Sequence, residues 1–449
     1  MTRLALELSP ALGAVQLWFK DFDTWPLLMA LLVSLSCALL GTVFLVRRTA
    51  LLGDAVSHSV LPGIAGGLLL AGIVLEHDEK NAFGASPTML FILAGAVVAG
   101  LASAMLIEAL HRHSRIKPDT ALAAVFPAFF ASGIILIRLF FTDNTHFDEN
   151  CVYFGALEHI GYFSDVAPTF FCSILVVIFF LVFYKEILIT SFDRQLSGTL
   201  GLPVGLMNLL LVSLLALAVV VAFEAVGAIL VIALLIIPPA TAQLLSYRFN
   251  RVLILSALCG LSAAFLGSWM TIFLEAVGFK TLRAPTIAVV ASLQFLLALV
   301  FSPEQGLLAQ ALRKRALESR ILEENLLGSV YRLGGTPQAE AVTLEEAAAR
   351  LGYPPGRLAA ALRRCRIRGE LTVESEGILL TEGGSEKVAG IIRGHRLWES
   401  YMIHEMGAAS DHVHDAADHI EHHLQPALVK ELEKLLGNPN LDPHGSEIP

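Results

Sequence analysis

The sequence predicts a polytopic α-helical membrane protein followed by a soluble tail, on three observations. Of its 449 residues, 55% are hydrophobic and only 16% charged, and its mean hydropathy of +0.68 lies well outside the range of an ordinary soluble domain. Apolar runs long enough to cross a bilayer fill residues 27 to 301. No such run follows, and the roughly 140 remaining residues suffice for one domain or two small ones.

Eight to ten spans are expected and nine favoured, near 27–46, 57–75, 88–107, 121–141, 168–189, 207–223, 225–241, 252–274 and 284–301. The second is short and glycine-rich, and the sixth and seventh are separated by little more than Glu224. With nine spans, Arg47 and Arg48, HRHSRIK (111–117), Lys185 with Arg194, Arg248 with Arg251, and RKR (313–315) fall on one side. Positive charge is retained in the cytoplasm, which places the amino terminus outside and the tail inside. The opposite loops, 76–84 and 142–150, are mainly acidic or neutral. The first strong apolar run is long enough to be a span itself, so no cleavable signal peptide is expected. Five cysteines without a CxxC pair give neither a disulfide framework nor a thiolate metal site. A net charge of -9 argues against a generic nucleic-acid binder.

The expected organisation is a transmembrane domain (1–305), a charged linker (306–320), a winged-helix-like domain (321–390) and a helical metal-binding and dimerisation-like domain (391–449). TLEEAAARLGYPPGRLAAALRRCRIRGEL (343–371) reads as two short helices about the turn GYPPG, and LTVESEGILLT as a small hairpin turning at Glu376-Gly377. Helices follow at about 385–406, 411–423 and 426–436.

LLGDAVSHSVLPG (51–63) puts Asp54 and His58 one helical turn apart at the entrance to an apolar run. A charge at mid-bilayer costs about 2.5–3.5 kcal/mol on insertion scales, so such residues face a protein interior or an aqueous path. The pair offers an oxygen and a nitrogen to one divalent cation. The alternative is a helix cap at Asp54 and an interhelical hydrogen bond from His58. LLGDAVSHSVLPGIAGGLLL resembles the signature of ABC-transporter permeases that import manganese, zinc or iron. SFDRQLSGTLGLPVGLMNLLL (191–211) is similar to the family's cytoplasmic segment that meets the ATPase, and EAVGAILVIALLIIPPATAQLL (224–245) to its following span. The resemblance implies a metal path through Asp54 and His58, with Glu224 as a further carboxylate. It also implies ATPase coupling through Ser191, Phe192, Asp193, Leu200 and Gly201. The chain has no GxxxxGK[ST] phosphate cradle. ATP hydrolysis is therefore expected in a separate cytoplasmic ATPase dimer, with an extracytoplasmic metal-binding protein delivering the ion and a second permease subunit, a copy or a paralogue, completing the path.

Eight of the fourteen histidines lie between 395 and 444. In VHDAADHIEHHL (413–424), His414, Asp418, Glu421 and His422 share one helical face, and His395 and Glu399 form an i, i+4 pair upstream. Imidazole and carboxylate without thiolate suit manganese, iron or zinc; a solvated polar face is the alternative. HRLWES, VHDAADHIEHHL and LGNPNLDPHGSEIP resemble the metal-binding and dimerisation domain of the diphtheria-toxin-repressor and manganese-repressor family, and 321–390 its winged-helix domain. That resemblance implies one ligand set of His395, Glu399 and His414 and another of Asp418, Glu421 and His422, with Asp418 leaning toward manganese. Asn325 stands where the family's first helix donates a ligand, and Gly328 where a second carboxylate can occur. The recognition helix is poor in serine, threonine and glutamine; Arg357, Arg363 and Arg364 remain to hold a DNA backbone, and DNA is not the expected partner.

The expected function is thus the membrane permease of a divalent-metal ABC importer with a metal-sensing cytoplasmic tail, the ion being both substrate and regulatory ligand. The alternatives are a membrane-tethered metal-responsive transcriptional regulator and a permease for metal chelates such as siderophores.

Overall fold

The computed structural model describes residues 24–47, 49, 59–74, 87–116, 118–140, 157–335, 341–374, 377–409, 413, 416–417, 420, 422, 424–445 and 447–449. The chain divides into two compact units, Met1–Ala309 and Gln310–Pro449.

In the first unit, α1 (Thr24–Val46), α2 (Leu61–Val74), α3 (Pro87–His113), α4 (Pro118–Phe140) and α5 (Phe163–Val182) precede two short helices, α6 (Tyr184–Phe192) and α7 (Arg194–Thr199). Three long helices follow, α8 (Val204–Leu245), α9 (Phe249–Ala276) and α10 (Arg283–Phe301). Eight stretches among the described residues are long and apolar enough to span a bilayer, and Leu61–Val74 is a shorter ninth apolar helix. At 1.5 Å per residue a straight α8 of 42 residues would be about twice the thickness of the hydrocarbon core. It is interrupted at Gly227, whose φ of 77° and ψ of 165° are open to glycine almost alone. The sequence suggests a boundary at Glu224; the break falls three residues later, because glycine and not the carboxylate permits it.

Lipid is as apolar as leucine, so these helices are held by close packing and interhelical hydrogen bonds. α1 lies in the centre, against α5, α8 and α9. A Cβ added to Gly41 would sit 1.9 Å from the Leu235 carbonyl oxygen, so α1 and α8 approach backbone to backbone. Gly63 and Gly95 do the same for α2 and α3. Hydroxyls add bonds: Ser256 donates to the Ala38 carbonyl at 3.0 Å, and Ser36 and Ser173 lie 2.7 Å apart.

The second unit is carried by α11 (Leu307–Arg332), whose Leu326, Leu327 and Val330 are fully buried. Helix α12 (Leu344–Leu351) opens on a capping box, Thr343 with Glu346, and closes at Gly352 with φ of 67°. Tyr353-Pro354 turns the chain into α13 (Pro355–Ile367). Strands β1 (Leu371–Glu374) and β2 (Gly377–Leu380) pair antiparallel, Leu371 opposite Leu380. Their buried side chains join the α11 core. Helix α14 (Glu382–His404) and α15 (Pro426–Leu435) complete the unit. The helix expected at 411–423 lies largely outside the described residues.

Candidate metal centre

Asp54 and His58 lie outside the described residues, as does the side chain of Glu224, which sits on α8 ahead of the Gly227 break.

The segment expected to meet an ATPase is well defined. Asp193 ends α6 and caps α7, its Oδ1 accepting from the amides of Gln195 and Leu196 at 2.9 and 2.8 Å. Gly201, with φ of 71°, turns the chain away after α7. Phe192, Leu196 and Leu200 are exposed. Ser191 plays a different part from the exposed residues: Arg47, just past the end of α1, donates to its hydroxyl and to that of Thr190, each at 3.0 Å. The guanidinium thereby pins the base of the segment to the central helix.

In the tail, His395 and Glu399 meet across one turn of α14, Nε2 to Oε1 at 3.1 Å, both buried. His422 is also buried, and its Nδ1 lies 2.7 Å from Oε2 of Glu324 on α11. The other oxygen of Glu324 accepts from Arg320 Nε at 2.7 Å. Burial pulls the Glu324 carboxyl upward, but the bonds from His422 and Arg320 outweigh it and hold it below the usual carboxylate range. A cavity of about 700 Å³ opens beside the pair, lined by Asn325, Gly328, Arg332 and Tyr353 among others. His414, Asp418 and Glu421 lie outside the described residues. Among the described residues no three histidine, cysteine, aspartate or glutamate side chains converge. What is present fits a divalent cation in kind: buried imidazole and carboxylate in pairs, at positions where an isolated charge would be costly.

The arginines of α13 divide. Arg357 stacks on Tyr353, its guanidinium carbon 5.1 Å from the ring centre, and Arg363 is exposed. Arg364 and Arg368 instead clasp the buried carboxylate of Glu323. Sequence reasoning missed both Glu323 and Glu324. The available signal was periodicity, since Glu323 shares a helical face with the apolar Leu326, Leu327 and Val330, and Glu324 shares one with Leu327 and Tyr331.

A set of helices long and apolar enough to span a bilayer, followed by a helical domain with buried imidazole–carboxylate pairs, fits a membrane transport permease with an added tail. Residues 20–302 match the model of the ABC 3 transport family, and residues 381–449 that of the iron-dependent repressor metal-binding and dimerisation domain. The chain belongs to the ABC 3 transport family and is a multi-pass membrane protein. It is 35% identical over 304 residues to the manganese transport system membrane protein MntD of Bacillus subtilis, covering 65% of this chain and 96% of the relative. A chain from Chlamydia trachomatis described as a probable metal transport system membrane protein is 28% identical over 95% of this chain and 96% of its own. That alignment runs through both units. Among solved structures, PsaBC from Streptococcus pneumoniae in complex with Fab matches with a TM-score of 0.54 and 30% identity, over 66% of this chain and 97% of that one.

Proposed function

We infer that this chain is the membrane-spanning subunit of an ABC importer for divalent metal ions, with manganese the favoured cargo, and that its cytoplasmic tail senses the same ion. The observation that carries the reading is the union, in one chain, of an ABC 3 permease region with a repressor-type metal-binding domain. MntD and a Treponema pallidum relative described as a zinc transport system membrane protein, TroD, support manganese or zinc as cargo; the carboxylate at Asp418 favours manganese.

Asp54 and His58 hold the ion on its path, with Glu224 as a further carboxylate beside the Gly227 break. The ion enters from an extracytoplasmic binding protein and crosses between this subunit and a second permease. A separate ATPase dimer docks on the exposed apolar residues about α7 and drives the cycle. In the tail, His395, Glu399 and His414 form one ligand set and Asp418, Glu421 and His422 the other. A bound divalent cation would tie helices together there and charge-balance the carboxylates. Cytosolic metal then slows import, provided the tail binds it more tightly in the inactive state.

Uptake of manganese into proteoliposomes containing the assembled transporter, at rising internal manganese, tests the reading. The full chain is expected to be inhibited by internal metal and a truncation after Arg315 to be insensitive. Equal inhibition of both removes the sensor. Unchanged uptake of free manganese in Asp54→Ala and His58→Ala removes the metal path.

A further inference from the structure

The resemblance of the tail to metal-dependent repressors leaves a gap at α11, where Asn325 and Gly328 replace the side chains that would complete a ligand set. Both line the cavity that also contains Glu324 and His422. Asn325 offers a neutral amide and Gly328 offers nothing. A carboxylate stands one residue before Asn325 on that helix, at Glu324, buried and 2.7 Å from His422.

We propose that Glu324 is a positioning residue for the tail metal centre, holding His422 by Nδ1 so that Nε2 is the atom presented to a divalent cation. This rests on the reading of His422 as a ligand.

The chemistry follows from the two groups. Paired with the guanidinium of Arg320 at 2.7 Å, Glu324 is a carboxylate, and a carboxylate only accepts. His422 must therefore carry a proton on Nδ1 and donate it. In the neutral ring the lone pair then belongs to Nε2, the tautomer less favoured by a free imidazole. Metal-bound histidines commonly donate their second ring N–H to a carboxylate, which fixes the tautomer and ring plane and raises ligand basicity. Here every part of the device is held. The Glu324 and His422 side chains are 5% and 6% exposed, so water competes poorly for the bond. The backbone of α11 is anchored by the fully buried Leu326 and Leu327 immediately after Glu324. The α11 helix thus contributes orientation through Glu324 where the resemblance implies ligation.

The test uses the full chain in nanodiscs, in an Asp54→Ala, His58→Ala background so that the membrane path adds no binding, with manganese(II) alone as probe. Binding is read from the electron paramagnetic resonance signal of the free ion. His422→Ala is expected to weaken tail binding, and Glu324→Ala to weaken it by about 10- to 100-fold, the range for lost partners of a ligating histidine. Glu324→Gln retains an oxygen acceptor, and the mostly exposed Arg320 can swing away from its amide. Its loss is expected to stay below about tenfold. A second readout needs no change at Glu324: in the metal-free chain labelled with 15N-histidine, the resonances lost in His422→Ala should show a protonated Nδ1 and a lone pair on Nε2. A proton on Nε2 alone overturns the proposal. So does full affinity in Glu324→Ala while His422→Ala is impaired, a result that leaves the metal-sensing reading intact. A loss far above about 100-fold in both Glu324→Gln and Glu324→Ala exceeds what a partner of a ligating histidine supplies, makes the carboxylate itself a ligand and also overturns it. Unaltered binding in His422→Ala ends the metal-sensing reading at that residue, and the proposal with it.

Discussion

Removing the two arginines that hold Glu323 should damage the tail more than removing Glu323 itself. The carboxylate is buried at 5% exposure, and it accepts from Arg364 and Arg368, whose side chains remain 41% and 44% exposed. Neutralising it in Glu323→Gln releases two guanidinium groups that water can reach, so the loss should be about 1 kcal/mol, the scale of an exposed pair. The double change Arg364→Gln, Arg368→Gln strands a carboxylate in the core. Breaking a buried pair in that direction costs about 3–5 kcal/mol; with the partners half exposed, about 2–3 kcal/mol is the discounted figure. Amide hydrogen exchange of peptides from 321–380 in the full chain reads this directly. At about 1.4 kcal/mol per factor of ten, protection should fall about fivefold in Glu323→Gln and about 30- to 100-fold in the double variant. The dependence on pH has a definite sign. Burial raises the Glu323 carboxyl, but the bonds from Arg368 and Arg364 lower it further, to a net value below its ordinary 4.5. A carboxylate depressed in the folded state stabilises above its unfolded value and loses that contribution as the pH falls through the folded one. The advantage of wild type over Glu323→Gln should therefore be full at neutral pH, begin to fall near 4.5 and be lost only as the pH drops through the lower folded value. Equal protection in the two variants, or an advantage that grows in acid, would refute the clamp.

Other outcomes follow from single features. Replacing Phe192 or Leu200 by aspartate should abolish transport-coupled ATP hydrolysis with the permease still inserted, since both are exposed on the segment about α7; normal coupling in both would exclude that surface. Gly41→Leu should abolish stable assembly of the membrane unit, because even a Cβ there meets the Leu235 carbonyl oxygen at 1.9 Å, and size-exclusion of the detergent-extracted protein will show it. Cys365 should resist alkylation at pH 8 in the folded chain: burial, then the nearby Glu370 charge, push its thiol up to about 11. Labelling at the rate of a free thiol would mean that the α13 core opens readily.

Much of the architecture was legible because a bilayer imposes a length. Runs of about twenty apolar residues are visible without knowledge of their partners, and the nine expected segments all find apolar helices. The hairpin was equally legible as two short runs about a turn, although Gly377, expected in the turn itself, opens β2 opposite Glu374. The α8 break was displaced because a carboxylate attracts attention in an apolar run, whereas the backbone responds to the glycine that can leave helical space. Candidate ligands were readable from i, i+4 spacing when both members lay on one helix, as with His395 and Glu399. The Glu324–His422 contact spans 98 residues and two elements. Spacing carries no information about such a pair. Its place on an amphipathic helix could signal at most that Glu324 needs a partner, not which one.

Adjacent glutamates on a helix point about 100° apart, so one helix can grip two neighbours at once. On α11, Glu323 grips α13 through Arg364 and through Arg368 at its C-terminal cap, while Glu324 grips His422. A cation that takes Nε2 of His422 polarises the ring and strengthens its Nδ1–H as a donor to Glu324. Any tightening of that contact restrains the same turn of α11 that carries Glu323, and hence α13. Saturating manganese should then raise exchange protection in peptides covering 355–370, although no candidate ligand lies on that helix. The gain should disappear in Glu324→Ala at metal concentrations that still saturate the tail. It should persist in a variant that disables only the α14 pair, Glu399→Ala. Protection of α13 that rises equally in wild type and Glu324→Ala would mean that metal acts on the tail without passing through α11. The two glutamates would then be independent contacts that happen to be neighbours.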